Sequence, residues 1–182
     1  MRGREMIINT DNDLIQTYGS PPSRSIEDIT EIVIHHTAGG GSWRGLKSWF
    51  TSKTCERKDQ FKRFIGFTHY YIEKNGTIFQ PFNLDSWMYH SCSGKHDKKT
   101  IGIELIHNTG EFPEEQIDAL VNLVEHIYKT CPIMQIVSHD YNYMYYSGKA
   151  KGCPSKWFNW SEFESKLEEK GIKPVIKSFS GA

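Results

Sequence analysis

The fold class this sequence predicts is α/β, a single domain in which a central mixed β-sheet is flanked by helices. Three observations carry that expectation. Short β-branched runs alternate with apolar stripes at helical spacing, one Asn-Gly pair joins two strand-like segments, and the remaining strand-like segments are far enough apart for crossovers between parallel strands. A chain of 182 residues with 37% hydrophobic content is long enough to bury roughly 70% of the surface its unfolded form exposes.

The elements follow in chain order. Residues 1–30 are polar, with Pro21-Pro22 and serine-rich flanks, and read as a lead-in that wraps the domain. Glu31 to His36 is a β-branched run suited to a buried strand, broken at once by Gly39-Gly40-Gly41. Alternation sends His35 and His36 to opposite faces of that strand end. Leu46, Trp49 and Phe50 recur at helical spacing and predict a short helix over 42–52. Phe67 to Glu73 and Thr77 to Phe82 flank Asn75-Gly76, a tight hairpin in which both turn residues tolerate positive φ.

Thr100 to His107 predicts another strand. Pro113 then opens a helix whose Ile117, Leu120, Val121, Val124, Ile127 and Tyr128 form one apolar stripe. Gln135 to Ser138 is a last short strand ending at His139, and YNYMYYSGKA reads as an inserted loop. Ser161-x-x-Glu164 predicts a capping box for a final helix that Gly171 closes. The domain is thus expected over residues 31–171, with a C-terminal tail over 172–182.

Composition removes several classes of partner. Lys plus Arg and Asp plus Glu both number 22, so no global basic field exists to hold nucleic acid or an anionic membrane. A basic stretch between Arg44 and Lys74 reads as a solvated face. No segment is long and apolar enough to span a bilayer, and the N-terminus lacks the apolar core of a secretory signal. Synthesis in the cytoplasm is therefore expected, and with it a monomer. The four cysteines are widely spaced, with no C-x-x-C, which fits free thiols; of these only Cys153 sits in a suggestive context.

Candidate chemistry lies at strand ends and in the loops after them. His35, His139 and Cys153 supply two imidazoles and one thiolate, a donor set that holds zinc with a fourth position open. Lys149 and Lys151 beside Cys153 would favour its thiolate form. A nucleophilic Cys153 paired with His139 is the competing chemistry, and it leaves His35 without a task. Glu104, a carboxylate on an otherwise apolar strand, is expected to be desolvated and so suited to proton transfer.

The blocks VIHHTA, THYYIEKNGTI, YHSCSG followed by TIGIEL, SHD, KGCP and FNW, in that order between Val33 and Trp160, resemble N-acetylmuramoyl-L-alanine amidases of the amidase-2 family. That family includes amidase-type phage lysozymes and is related to peptidoglycan recognition proteins. The resemblance implies one zinc ion on His35, His139 and Cys153, with His36 a neighbour in the substrate site. It implies Glu104 as general base and then acid, and Lys151 (with Lys149 as rival) near the reacting carbonyl. Where the phage lysozymes carry a catalytic tyrosine, this chain has Thr68, which has no phenol to donate. His90 corresponds to the family's His-Ala-Gly block and is expected to line the substrate cleft, and Tyr146, with Tyr141, Tyr143 and Tyr145, to shape it.

The activity so implied is hydrolysis of the amide between N-acetylmuramic acid and L-alanine in peptidoglycan, in a phage or prophage endolysin that reaches the wall after holin-type release. The alternatives are an amidase recycling anhydro-muropeptides in the cytoplasm and a peptidoglycan-binding module without turnover.

Overall fold

The computed structural model describes residues 6–39, 41–52, 55 and 65–178. In chain order the elements are β1 (Ile8–Thr10), α1 (Asp13–Tyr18), a 3-10 turn (Ile26–Asp28), β2 (Glu31–His36), α2 (Trp43–Phe50), β3 (Tyr70–Ile72), β4 (Ile78–Gln80) and α3 (Gly94–Asp97). There follow β5 (Thr100–Leu105), α4 (Glu114–Tyr128), β6 (Gln135–Ser138), α5 (His139–Ser147), α6 (Trp160–Glu169) and β7 (Val175–Lys177). The basic stretch between Arg44 and Lys74 lies partly outside the described residues.

The strands form one sheet in the order β1-β4-β3-β5-β2-β6-β7. Neighbours are parallel except for the β3–β4 hairpin, so the mixed sheet expected from the sequence is present. The edge strands β1 and β7 come from the polar lead-in and the C-terminal segment. At three residues each, they are too short for alternation to announce them.

Alternation along the central strands builds two different faces. Ile32, Ile34, Ile101, Ile103, Leu105, Tyr70, Ile72 and Ile136 join the stripe of α4 and the Phe163 and Leu167 positions of α6 in the main core. Burying each such side chain stabilises the fold by roughly 1.5–3 kcal/mol. Across the sheet, Tyr71 packs with Trp43 and Phe50 of α2, Leu14 of α1, Phe67, Phe82 and Met88 in a second cluster. The lead-in is pinned there by Trp43 Nε1 donating to Asp11 (2.8 Å) and by Lys47 bridging Asp11 and Asp13.

Local chemistry departs from expectation at three points. In the hairpin only Gly76 takes positive φ (80°); its N–H donates to the Glu73 carbonyl and a Cβ there would meet the Glu115 carbonyl at 2.7 Å. The capping box of α6 is displaced by two residues. Asn159 accepts from the Glu162 N–H (3.2 Å) and donates to the Glu162 carboxylate (3.3 Å), because an Asn is at least as good an N-cap as the serine that follows. Most of the YNYMYYSGKA segment is helical, since α5 runs through Ser147. Ser138 caps α5 by accepting from Tyr141 N–H (2.9 Å), and Gly148 ends it in the left-handed region.

Candidate active site

The parallel strands β2, β5 and β6 deliver their carboxyl ends to one edge of the sheet, the usual place for sites in such folds. Register pairs His35 with Glu104 and Ile34 with Ser138. His35 and Glu104 therefore stand side by side on the face opposite α4, and His139 begins immediately beyond β6. Ile32 and Ile34, its neighbours in alternation, face the core, which explains why His35 and not His36 reaches this group.

The third member arrives from a loop. Asp140 accepts from the N–H groups of Lys151 and Gly152 (2.9 Å for the latter), and its own N–H donates to the Cys153 carbonyl at 2.6 Å. The loop after α5 is thereby folded back on the start of that helix, bringing Cys153 beside His139. The His36 N–H points at Cys153 Sγ (3.4 Å). Donor atoms of His35, His139 and Cys153 all lie within 4.8 Å of one another.

These groups line a cleft of about 570 Å³ together with His36, Thr68, His90, Cys92, Glu104 and Lys151. His35 Nδ1 faces His139 Nδ1 at 2.9 Å. Burial, reinforced by neighbouring histidines and Lys151, holds His35 well below its ordinary pKa. Burial and then Lys151 push His139 down to about 3. Both imidazoles are therefore neutral, the form that binds metal. Cys153 does not follow the expectation of a ready thiolate: burial, and then the Glu104 carboxylate, push its thiol up to about 12 despite Lys151. A cation in the triad would reverse that balance, whereas a free nucleophilic thiolate is disfavoured. Two neutral imidazoles and a thiol converging on one point fit a tetrahedral zinc site with one position open.

Glu104 is half-buried, whereas Thr68 is fully buried, its hydroxyl donating to the Tyr70 carbonyl at 3.2 Å. Lys151 reaches the cleft with its ammonium 5.1 Å from the centre of the Tyr143 ring, while Lys149 is not among the described lining residues. Nor is Tyr146, which is 42% exposed and packs against His96. Tyr141, Tyr143 and Tyr145 are likewise absent from the lining, because the helix turns these side chains around its axis and Tyr145 and Tyr146 stand out toward solvent.

Sequence reasoning missed two groups here. Asp140 anchors the Cys153 loop, for which its place in SHD was the available signal. Cys92 carries no signal in its spacing. It takes positive φ (77°), unusual outside glycine, and sets Sγ 3.8 Å from His139 Nε2.

Solved structures share this fold. An N-acetylmuramoyl-L-alanine amidase, LysC, from Clostridium intestinale URNW superposes with a TM-score of 0.67 at 21% identity, covering 92% of this chain and 99% of that one. PGRP-SA from Apis mellifera gives 0.66 at 15% identity, with 93% and 98% covered. The Ph2119 endolysin from a Thermus scotoductus MAT2119 bacteriophage gives 0.60 at 17% identity, with 88% and 99% covered. No curated protein matches the sequence. The sequence matches the N-acetylmuramoyl-L-alanine amidase family, amidase-2, over residues 25–156, a span that takes in β2, the hairpin, β5, β6 and the Cys153 loop, and on that ground the chain belongs to this family.

Proposed function

We propose that the protein is a zinc-dependent N-acetylmuramoyl-L-alanine amidase that cleaves the bond between the lactyl group of N-acetylmuramic acid and L-alanine in peptidoglycan. The observation that carries this reading is the convergence of His35, His139 and Cys153 within 4.8 Å, in a cleft that also holds Glu104 and Lys151, in a chain of the amidase-2 family. His35, His139 and Cys153 would hold the ion. Bound zinc supplies Lewis acidity and lowers the pKa of water toward neutrality.

The chain's own groups do the rest. Glu104, beside His35 in register, takes the proton of the attacking water and returns it to the leaving amine. Lys151 supports the developing oxyanion with its ammonium, a contribution of about 3–4 kcal/mol for one such donor. Thr68, with no acidic proton to give, leaves the proton transfer to Glu104. His36 and Thr68 take part in forming the substrate cleft, and Tyr146 on α5 extends the surface beyond it.

The likeness to named endolysins supports lysis of intact wall as the biological setting. Among the described residues no helix is long and apolar enough to cross a membrane. The test is digestion of purified sacculi by the wild type and by Glu104→Ala, with fragments identified by mass spectrometry. Free stem peptides beginning at L-alanine support the reading. Binding of sacculi without release of any fragment would instead favour a recognition module, and activity confined to soluble muropeptides would favour a recycling enzyme.

A further inference from the structure

The sequence predicts His90 as a residue lining the substrate cleft. It does line the cleft, and its hydrogen bonds give it a second task there. The ring is buried, with Nδ1 3.0 Å from His35 Nε2 and Nε2 2.9 Å from the Thr100 hydroxyl. Directing the single Thr100 hydroxyl proton to the Asp97 carbonyl, 3.2 Å away, leaves its oxygen as the acceptor toward His90 Nε2. A carboxylate oxygen of Asp97 lies 3.8 Å from the same Nε2. Nε2 of His90 thus faces two oxygen acceptors and carries the proton, which leaves Nδ1 as a bare lone pair.

The consequence passes to His35. A lone pair on His90 Nδ1 requires the proton on His35 Nε2, and so leaves His35 Nδ1 unprotonated on the side that faces His139 at 2.9 Å. Resting on the metal reading above, we infer that His90 is a positioning residue, which with Thr100 fixes the His35 tautomer so that Nδ1 is presented to the metal.

The fold makes room for this arrangement at Gly102, in the middle of β5. A Cβ there would sit 3.0 Å from His90 Nδ1 and 2.8 Å from Thr68 Cγ2. The glycine of TIGIEL thus has a packing reason: only a bare backbone lets the His90 ring lie over the strand and reach His35. Metal-ligating histidines generally need such a partner on the second ring nitrogen, and removing it costs roughly 10–100-fold in affinity.

Two measurements test the inference on the full chain. Long-range proton–nitrogen correlation spectra of the imidazoles, recorded before and after zinc addition, read the tautomers directly and need no variant. Protons on Nε2 of both His90 and His35 are expected. Zinc affinity measured by chelator competition should fall about 10–100-fold in Thr100→Val and stay close to wild type in Thr100→Ser, which keeps the acceptor. Thermal melts of the metal-free chains confirm that both variants fold. A His35 proton on Nδ1, or a Thr100→Val chain that binds zinc as tightly as the wild type, overturns the inference and leaves the metal site standing. A wild type that binds no zinc overturns the metal site itself, and this inference with it.

Discussion

The two faces of the central sheet are built from the same strands and have opposite tasks. On the α4 side, Ile32, Ile34, Ile101, Ile103 and Leu105 are fully buried against the helical stripe. On the other side the alternate positions of β2 and β5 read Val33, His35, Gly102 and Glu104. At their carboxyl ends packing gives way to a cleft holding neutral imidazoles, a buried thiol and a carboxylate. The difference shows how period-two alternation separates stability from chemistry: a polar residue can occupy a central strand only on the face, and at the end, where partners or solvent satisfy it.

Substitutions on the two faces should therefore fail in different ways. The largest effect is expected from His139→Ala, which removes one of the three donors: zinc binding by elemental analysis and amidase activity should both disappear while the far-ultraviolet spectrum is retained. Retained stoichiometric zinc would break the site assignment. Glu104→Gln should lower kcat by roughly 10²–10⁴-fold with zinc still bound, as read from the rate of stem-peptide release. Lys151→Met should lower kcat by about 10²–10³-fold, and a matching loss in Lys149→Met instead would transfer the role.

Leu120→Ala, on the opposite face, should cost about 2–5 kcal/mol in denaturant melts and leave kcat per folded molecule unchanged. If it abolished activity in the folded protein, the separation of faces would be wrong. The smallest effect concerns His69, whose Nδ1 accepts from the Gly102 N–H at 3.1 Å. Burial, and then Arg24, hold its pKa well below the ordinary 6.5. Its stability contribution is therefore complete above about pH 6.5 and is lost as pH falls, because the unfolded chain takes up a proton that the folded chain refuses, at up to about 1.4 kcal/mol per pH unit. Melts from pH 8 to 5 should show a shallower acid loss in His69→Gln than in the wild type.

Much of the fold could be read in advance because the informative signals are local. The α4 stripe, the Asn75-Gly76 turn, Pro113 at a helix start and Gly171 past a helix end each report a preference expressed within one or two turns of chain. The displaced cap at Asn159 and the helix α5 (His139–Ser147) escape the sequence for the same reason. Two capping residues competed within three positions, and a tyrosine-rich segment has no apolar stripe, so its helicity depends on Ser138 and on packing against the sheet end. Edge strands of three residues carry no period at all.

By itself the sequence determined the alternation that sends His35 away from the core, the family blocks that single out His35, Glu104, His139, Lys151 and Cys153, and the helix and hairpin that complete the sheet. Only the tertiary structure decided that residues 35, 139 and 153 meet, because their approach depends on parallel register between β2, β5 and β6 and on Asp140 folding a loop back on its own helix. It also decided that the Cys153 thiol is raised rather than activated and that His90, in the cleft lining, reaches His35. Desolvation and hydrogen-bond direction belong to the packed surroundings of a group, and no spacing along the chain encodes them.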